Sequence, residues 1–229
     1  MSRLAIVLLL CIFSVQVSAQ TDANVPFSKP SRDYVMLQAG IDTWFNTDDT
    51  IKINGLSRSA NVYVCYDFPI KNSNMSFALG AGIGSSNIFF NDQRVLLTDS
   101  STEIIFRDTP TDSFSKFKLS TTYLEAPIEL RYFSNKNNRN RGFKAAIGLK
   151  AGALINSHTK AKYKFNQKPI IIKEGTRRYV ESLRMSGTIR IGFGNFSIYG
   201  QYGLNNLFRV GNGPEGIAPA SIGICISGL

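Results

Sequence analysis

Residues 123–133 read Tyr-Leu-Glu-Ala-Pro-Ile-Glu-Leu-Arg-Tyr-Phe. The even-numbered positions of this stretch are apolar, whereas Glu125, Glu129 and Arg131 place charges on the odd-numbered positions. Successive side chains of a strand point to opposite faces, so the spacing predicts a strand with one apolar face and one charged face. A helix would mix the two sets around its circumference. The stretch therefore predicts a strand that separates two different environments.

The same alternation recurs along the rest of the chain. Further strands are predicted at residues 33–45, 58–68, 76–90, 142–156, 182–193 and 196–204, and a last one carries Ala220, Ile222, Ile224 and Ile226 on its apolar face. With the first stretch this makes eight alternating strands, and no segment has the period of a long helix. The fold class predicted by the pattern is all-β.

The N-terminus has the features of an export signal. Arg3 precedes an apolar run at residues 4–17, and small residues end at Ala19, which predicts a cleaved signal peptide spanning residues 1–19. Cys11 would anchor a lipoprotein instead, but a bulky leucine precedes it where that signal needs a small residue. No later window offers the ~20 consecutive apolar residues of a membrane helix. We expect an exported chain.

The mature chain is basic and has few cysteines. Residues 20–32 form a polar lead-in, and residues 33–229 are predicted to be one barrel domain. The whole chain has a formal net charge of +10, which suits anionic lipid or polysaccharide outside the cytoplasm better than nucleic acid. Cys65 and Cys225 would lie two strand spacings apart, roughly 10 Å, beyond the ~7 Å limit for a disulfide. We predict two free thiols that face inward.

Alternation alone does not decide which face of a barrel points inward. A soluble lipocalin-like barrel turns its apolar face inward, whereas a membrane barrel turns it outward to lipid. Long and short connections alternate along the chain, and the short ones are residues 69–75, 134–141 and 194–195. Membrane barrels combine long external loops with short periplasmic turns, so this pattern favours a membrane barrel with both termini in the periplasm.

Aromatic residues flank every short connection on the apolar faces. Such rings favour the headgroup region of a bilayer, so six rings at one level predict an interfacial girdle. The six are Phe68, Phe77, Tyr132, Phe143, Phe193 and Phe196. The alternative is hydrophobic packing at one end of a soluble barrel. A looser belt at the opposite end would hold Trp44, Phe45, Phe90 and Tyr202.

The other face combines charges with small residues. Eight strands enclose room only for side chains, so Gly80, Gly82 and Gly84 would leave space for long charged groups. Acids and bases can pair across such an interior, which limits the cost of removing them from water. The predicted interior ion network comprises Asp42, Asp67, Glu125, Glu129, Arg131, Lys144, Lys150, Arg184 and Arg190.

Together these patterns predict an eight-stranded antiparallel up-and-down transmembrane β-barrel with its apolar face outward and its interior filled. Lipid cannot satisfy an open strand edge, so the first strand must pair with the last. Pro127 has no N–H group and predicts a bulge or bend in its strand. The expected location is the outer membrane.

The central strand also carries a family resemblance. Tyr-Leu-Glu-x-Pro at residues 123–127, within a match covering residues 119–133, resembles a signature strand of the PorT-like outer-membrane β-barrel proteins of Bacteroidetes. A glycine-rich strand at 142–156 and the Gly-Asn turn at 194–195 add to the likeness. The resemblance implies an outer-membrane barrel and a role that assists secretion or surface assembly.

The sequence offers little catalytic chemistry. His158 is the single histidine, and nothing near it resembles the nucleophile elbow of a Ser-His-Asp hydrolase. The chain has no histidine pair and no Cys-x-x-Cys, and the run from Gly80 to Gly84 lacks the Lys-Ser/Thr of a phosphate-binding loop. We expect no enzyme activity, no metal and no cofactor.

The long connection at residues 157–181 is strongly basic and suggests where partners bind. We hypothesise that it contacts lipopolysaccharide phosphates or an acidic protein partner, the alternative being a solvated loop; the residues concerned are Lys160, Lys162, Lys164, Arg177 and Arg178. The function expected is that of a small integral outer-membrane barrel with a structural or interaction role. A soluble ligand-binding barrel and a narrow porin-like transporter are the alternatives.

Overall fold

We describe the fold from a computed structural model of the chain. The structure describes residues 35–96, 102–108, 116–135, 141–165 and 168–228. The predicted signal peptide and lead-in, residues 1–32, lie outside the described residues. Within the described ranges, no helix is long and apolar enough to cross a membrane.

The described chain forms eleven strands, most of them antiparallel neighbours in one sheet. They are β1 (Val35–Phe45), β2 (Arg58–Pro69), β3 (Met75–Phe90), β4 (Gln93–Leu96), β5 (Ile105–Asp108), β6 (Lys116–Phe133), β7 (Phe143–Phe165), β8 (Lys168–Gly175), β9 (Leu183–Phe193), β10 (Phe196–Gly203) and β11 (Ala218–Ser227). The sheet order is β6-β3-β2-β1-β11-β10-β9-β7-β8, and β6 also pairs with β7. Eight of these strands therefore close into a barrel, while β8 extends β7 as a hairpin and β4 pairs with β5.

Closure of the barrel confirms the predicted fold class. β1 pairs with β11 from Met36 opposite Ser227 to Phe45 opposite Ala218, as the closure argument requires. Cys65 and Cys225 are free and buried in the interior, as predicted. Short connections join β2 to β3, β6 to β7 and β9 to β10, so one end of the barrel has tight turns and the other has long connections.

The barrel wall near the short turns is apolar outside and polar inside. We call this part the lower section; it includes residues 77–83 of β3, 124–132 of β6 and 143–155 of β7. Its outward side chains, among them Ile147, Leu149 and Ile198, are exposed hydrophobics. A soluble ligand-binding barrel would turn these residues inward, so that alternative fails here.

The wall beyond this part has the opposite polarity. In this upper section, which includes residues 85–90 of β3, 117–123 of β6 and 156–162 of β7, apolar side chains point inward and meet the long connections. Trp44 stacks edge-on against Phe90 and Phe208, with 5.7 Å between ring centroids in each pair. The buried cluster comprises Trp44, Ile51, Ile88, Phe90, Val95, Ile104, Phe117, Leu119, Tyr123, Ala161, Tyr179, Val180, Leu207, Phe208 and Ile217.

A β-bulge in β7 marks the change of polarity. Ile155 has no partner on β6, because Leu154 and Asn156 pair with consecutive residues of that strand. Below the bulge the buried residues of β7 have even numbers, and above it they have odd numbers, as in Ser157. A bulge inserts one residue and so reverses the alternation of the strand beyond it. Ile155 therefore keeps Lys160 on the outer wall.

The bulge expected at Pro127 and the outer positions expected for Trp44 and Phe90 are wrong. Pro127 keeps its register with β7, and the bulge lies at Ile155 instead. The ladder to β3 is merely interrupted beside Pro127, where Gly80 leaves room for the ring; a Cβ at Gly80 would lie 3.1 Å from Pro127 Cγ. Trp44 and Phe90 do not form an outer belt, because both occupy inward positions and are buried in the upper core.

Candidate functional site: a filled interior and a basic outer wall

All nine charged side chains of the predicted interior network are buried inside the barrel. They come from five strands, and each lies on the inward positions of its strand: Asp42, Asp67, Glu125, Glu129, Arg131, Lys144, Lys150, Arg184 and Arg190. Burial of this many charges requires pairing, because removing an ion from water costs several kcal/mol per group. The structure satisfies this requirement with two clusters at different heights.

The cluster nearest the short turns is centred on Glu129. Its Oε2 accepts hydrogen bonds from Arg131 Nε at 2.7 Å and from Arg190 Nη2 at 2.9 Å. Arg131 also donates through Nη1 to Asp67 at 2.8 Å. Ser227 Oγ accepts from Lys144 Nζ at 2.7 Å, which ties the last strand into the same cluster. The Glu129 cluster thus links strands on opposite sides of the barrel.

The second cluster is centred on Glu125. Arg184 donates to Glu125 Oε1, and Tyr63 donates its hydroxyl hydrogen to Oε2. Lys150 Nζ donates to the Tyr63 hydroxyl at 3.0 Å and lies 4.0 Å from Glu125 Oε2. The guanidinium of Arg184 also lies over the Tyr123 ring, 4.1 Å from its centroid. This cation–π contact caps the Glu125 cluster where the upper core begins.

Asp42 stands apart from both clusters. Its Oδ2 accepts a hydrogen bond from Ser86, and among the residues that the structure describes no lysine or arginine lies within ion-pair distance. The polar cavity beside it leaves about 10 Å³ for the centre of a water molecule, which is room for one. Asp42 therefore lies beside a small polar cavity that is large enough for one water molecule.

Glycines on the inner wall make the packing possible. A Cβ at Gly84 would collide with the carboxylate of Glu125, and a Cβ at Gly148 would lie 2.9 Å from Cγ of Glu129. Both approaches are closer than real Cβ contacts allow. The inward glycines are therefore explained by the space that the charged clusters occupy.

The family of the chain follows from a comparison with known protein families. The model of the family described as "Outer membrane protein beta-barrel domain" matches residues 17–209. The chain belongs to this family. The match spans most of the eight-stranded barrel, and only β11 lies wholly beyond it. A search of curated proteins gave no match.

As an outer-membrane β-barrel, the chain has its apolar lower wall against lipid. The six predicted girdle aromatics are all exposed at the end of the lower section that carries the short turns: Phe68, Phe77, Tyr132, Phe143, Phe193 and Phe196. Phe193 lies opposite both Phe143 and Phe196, and Phe68 lies opposite Phe77. Aromatic pairs at this level suit the interface between hydrocarbon and headgroups.

Removing the paired rings of this girdle is expected to weaken the barrel in a bilayer. Phe193→Ala should lower the free energy of unfolding by roughly 1 kcal/mol, because the variant loses part of the apolar surface that the bilayer keeps out of water. Urea unfolding in lipid vesicles measures the change. Val210→Ala is the control, since Val210 is an exposed hydrophobic in the β10–β11 connection. Equal stability of the two variants would mean that Phe193 does not stabilise the barrel as a girdle residue.

The predicted contact residues lie on the wall and connection around β7 and β8. Lys160 and Lys162 are exposed on the upper section of β7, and the backbone of Lys164 continues the same strand. Arg177 and Arg178 are exposed in the connection after β8. At the start of this connection the N–H of Thr176 donates to the carbonyl of Ser157 at 3.1 Å, at the base of the upper section.

Two further lysines, which the sequence pattern did not single out, join this basic wall. Lys118 of β6 lies opposite Lys160, and Lys160 lies opposite Lys173 of β8. Burial lowers the pKa of the Lys118 ammonium, and the charges of Lys160 and Lys173 lower it further. Burial and the same three lysines lower the pKa of His158. The outer wall therefore carries a row of mutually repelling cations.

The expected absence of catalysis and of metal stays a prediction. The described residues contain no group of three or more His, Cys, Asp or Glu side chains placed to hold a metal ion. His158, the only histidine of the chain, lies on the outer wall with lysines around it.

Proposed function

We propose that this protein is an outer-membrane barrel with a closed interior that acts through its outer surface as a structural or interaction component. The orientation we propose places the long connections outside the cell and both termini in the periplasm, after export by the signal peptide at residues 1–19. The resemblance to PorT-like proteins supports a role that assists secretion or surface assembly. Neither an enzymatic nor a transport role is part of the proposal.

The observation that supports the proposal is the absence of a lumen along the described barrel. The Glu129 cluster and the Glu125 cluster fill the lower section, and the hydrophobic core fills the upper section. A solute would have to displace paired charges and then pass through packed aromatic rings. Eight strands leave an interior that side chains fill, in contrast to the aqueous channels of porins with 16–18 strands.

A conductance measurement tests the closed interior. The purified barrel, reconstituted in a planar lipid bilayer, is expected to show no stepwise current at potentials where a 16-stranded porin conducts. Reproducible single-channel steps would contradict the proposal and favour the narrow transporter. The matched comparison is Glu125→Gln with Glu129→Gln, because this variant removes the two central negative charges while it keeps the side-chain volume and the loops.

The proposed interaction surface is the basic wall and the connection after it. Its residues are Lys160, Lys162, Lys164, Arg177 and Arg178, and the partner class is lipopolysaccharide phosphate or an acidic protein surface. Opposite charges at such a surface raise association rates and are sensitive to salt. Charge reversal at Lys160, Lys162 and Lys164 is expected to weaken binding, and unchanged binding would remove this wall from the proposed role.

A further inference from the structure

The upper section carries a row of three lysines on adjacent strands. Lys118, Lys160 and Lys173 lie directly opposite one another on β6, β7 and β8. Neighbouring strands are about 4.8 Å apart, so the three side chains leave the wall within about 10 Å. Like charges directly opposite each other destabilise a sheet. Such a row therefore needs a reason other than the stability of the fold.

The described residues do not neutralise this row. Lys118 Nζ donates to the side-chain oxygen of Asn87 at 2.6 Å, which leaves its charge uncompensated. Glu174 follows Lys173 in the chain, but it is held by Arg94, whose Nη2 lies 3.4 Å from its carboxylate. Within the described ranges no carboxylate lies within ion-pair distance of Lys160 or Lys173. The row retains positive charge that an external anion can bind.

A second observation points to a ligand beside the same row. His158 lies one position below Lys160 on the outer wall, opposite Ser120 on one side and Gly175 on the other. Its Nδ1 is buried and has no hydrogen-bond partner among the described residues. Gly175 leaves the neighbouring strand without a side chain at this level, so an anion seated on the lysines can approach the imidazole of His158.

The height of the lysine row above the apolar band indicates which kind of anion it can bind. Ile155 is the last outward apolar residue of β7 before the polarity changes. His158 and Lys160 follow it by about 10 and 17 Å of strand at ~3.3 Å per residue. A strand tilt of roughly 35–45° reduces this to about 7–14 Å above the apolar band, at and just beyond the headgroup layer of about 5–8 Å, which the long lysine side chains can reach. A ligand at this level is part of the membrane surface.

We propose that Lys118, Lys160 and Lys173, with His158 below them, form a binding site for the phosphate groups of a glycolipid in the outer leaflet. The inference rests on the proposed function, because it requires the long-connection end to face outward. It selects lipid phosphate over an acidic protein as the ligand, and it adds Lys118, Lys173 and His158 to the contact residues. Lys118 and Lys173 become specificity residues that bind phosphate as point charges.

The test compares two variants of equal charge. Lys160→Gln with Lys173→Gln removes two members of the row, whereas Lys71→Gln with Lys168→Gln removes a lysine from the β2–β3 turn and one from the start of β8. The probe is lipid A, with and without its phosphate groups, titrated into the full chain in detergent micelles. A lysine near an anionic surface contributes about 1 kcal/mol, so the first variant should bind phosphorylated lipid A about thirtyfold more weakly.

The outcomes separate the site from its alternatives. Retained affinity in the control variant and weak binding of dephosphorylated lipid A by the native chain support the proposal. Equal losses of affinity in both variants would show that only the net charge matters. Inorganic phosphate that binds as tightly as lipid A would show that the site takes free phosphate. Either result overturns the proposal. If Lys160→Gln with Lys173→Gln keeps its affinity for lipid A but loses affinity for an acidic protein, the ligand is a protein and the proposal is wrong.

Thermal unfolding distinguishes this site from a structural role of the lysines. Removing like charges should leave the unfolding temperature of the ligand-free barrel unchanged or raise it, whereas loss of structural contacts would lower it. A lowered unfolding temperature for Lys160→Gln with Lys173→Gln would overturn the proposal. A conducting channel would instead overturn the closed interior and leave the lysine row untouched.

Discussion

Replacing Glu129 by alanine is expected to lower the free energy of unfolding by about 3–5 kcal/mol. Glu129 accepts from both Arg131 and Arg190, so its loss leaves two guanidinium groups in a space built for a carboxylate. Breaking a buried pair by removing one partner costs far more than the pair itself contributes. Urea unfolding in lipid vesicles measures the effect, and the loss of heat-modifiable migration on detergent gels reports the unfolded fraction.

Two comparisons make this result specific. Glu215→Ala removes an exposed carboxylate from the β10–β11 connection and should change stability by less than about 0.5 kcal/mol. Glu129→Leu and Asp67→Asn, combined with Arg131→Met and Arg190→Met, remove both acids and both arginines of the cluster together, and should recover most of the lost stability. A stable Glu129→Ala barrel would mean that water, rather than ion pairing, satisfies these arginines.

Deleting Ile155 is expected to unfold the upper section around β7 while leaving the lower section closed. Without this unpaired residue, the alternation of β7 would continue unbroken, and Lys160 and Lys162 would point into the hydrophobic core. Each buried, unpaired ammonium costs several kcal/mol, so the upper core should open instead. Limited proteolysis of intact vesicles would show rapid cleavage at the lysines of the β7–β8 hairpin.

Ile155→Ala is the matched control for this deletion. It keeps the residue count, and so keeps the lysines outside, at the cost of one lipid-facing side chain. Proteolysis of the upper section should match that of the native chain. If the deletion variant resists protease as the native chain does, the bulge does not set the direction of the lysines.

The lower section was largely predictable because its pattern is local. Alternation located the strands, and the glycines and charges of the opposite face indicated a filled interior. The short connections indicated which ends meet. Glu125 and Glu129 were placed on the inner face by position alone, although their separate partners depend on register across several strands.

The upper section was less predictable because alternation has the same appearance in both polarities. Trp44 and Phe45 are adjacent aromatics, and the sequence assigned both to an outer belt. In the structure Trp44 is 6% exposed and Phe45 is 50% exposed, since one points into the upper core and the other outward. One inserted residue, Ile155, reverses β7, and no local signal distinguishes it from its apolar neighbours.

The lysine row was not predictable, for a different reason. Lys118, Lys160 and Lys173 are distant in sequence, and they meet only because β6, β7 and β8 pair in one particular register. The basic composition of residues 157–181 indicated the region, but it could not reveal that Lys118 belongs to it. Cross-strand neighbours follow from the sheet and not from spacing along the chain.

The reversal of polarity between the two sections fixes the depth at which the barrel rests in its bilayer. Sinking by two residues would carry His158 and the lysines towards hydrocarbon, and rising by two would expose a ring of apolar side chains to water. Both displacements cost free energy, so where bilayer thickness varies the lipid must stretch or thin around the protein. The upper core is thereby held at a constant distance from the lipid surface. A partner that approaches along that surface therefore always meets the upper section at the same height.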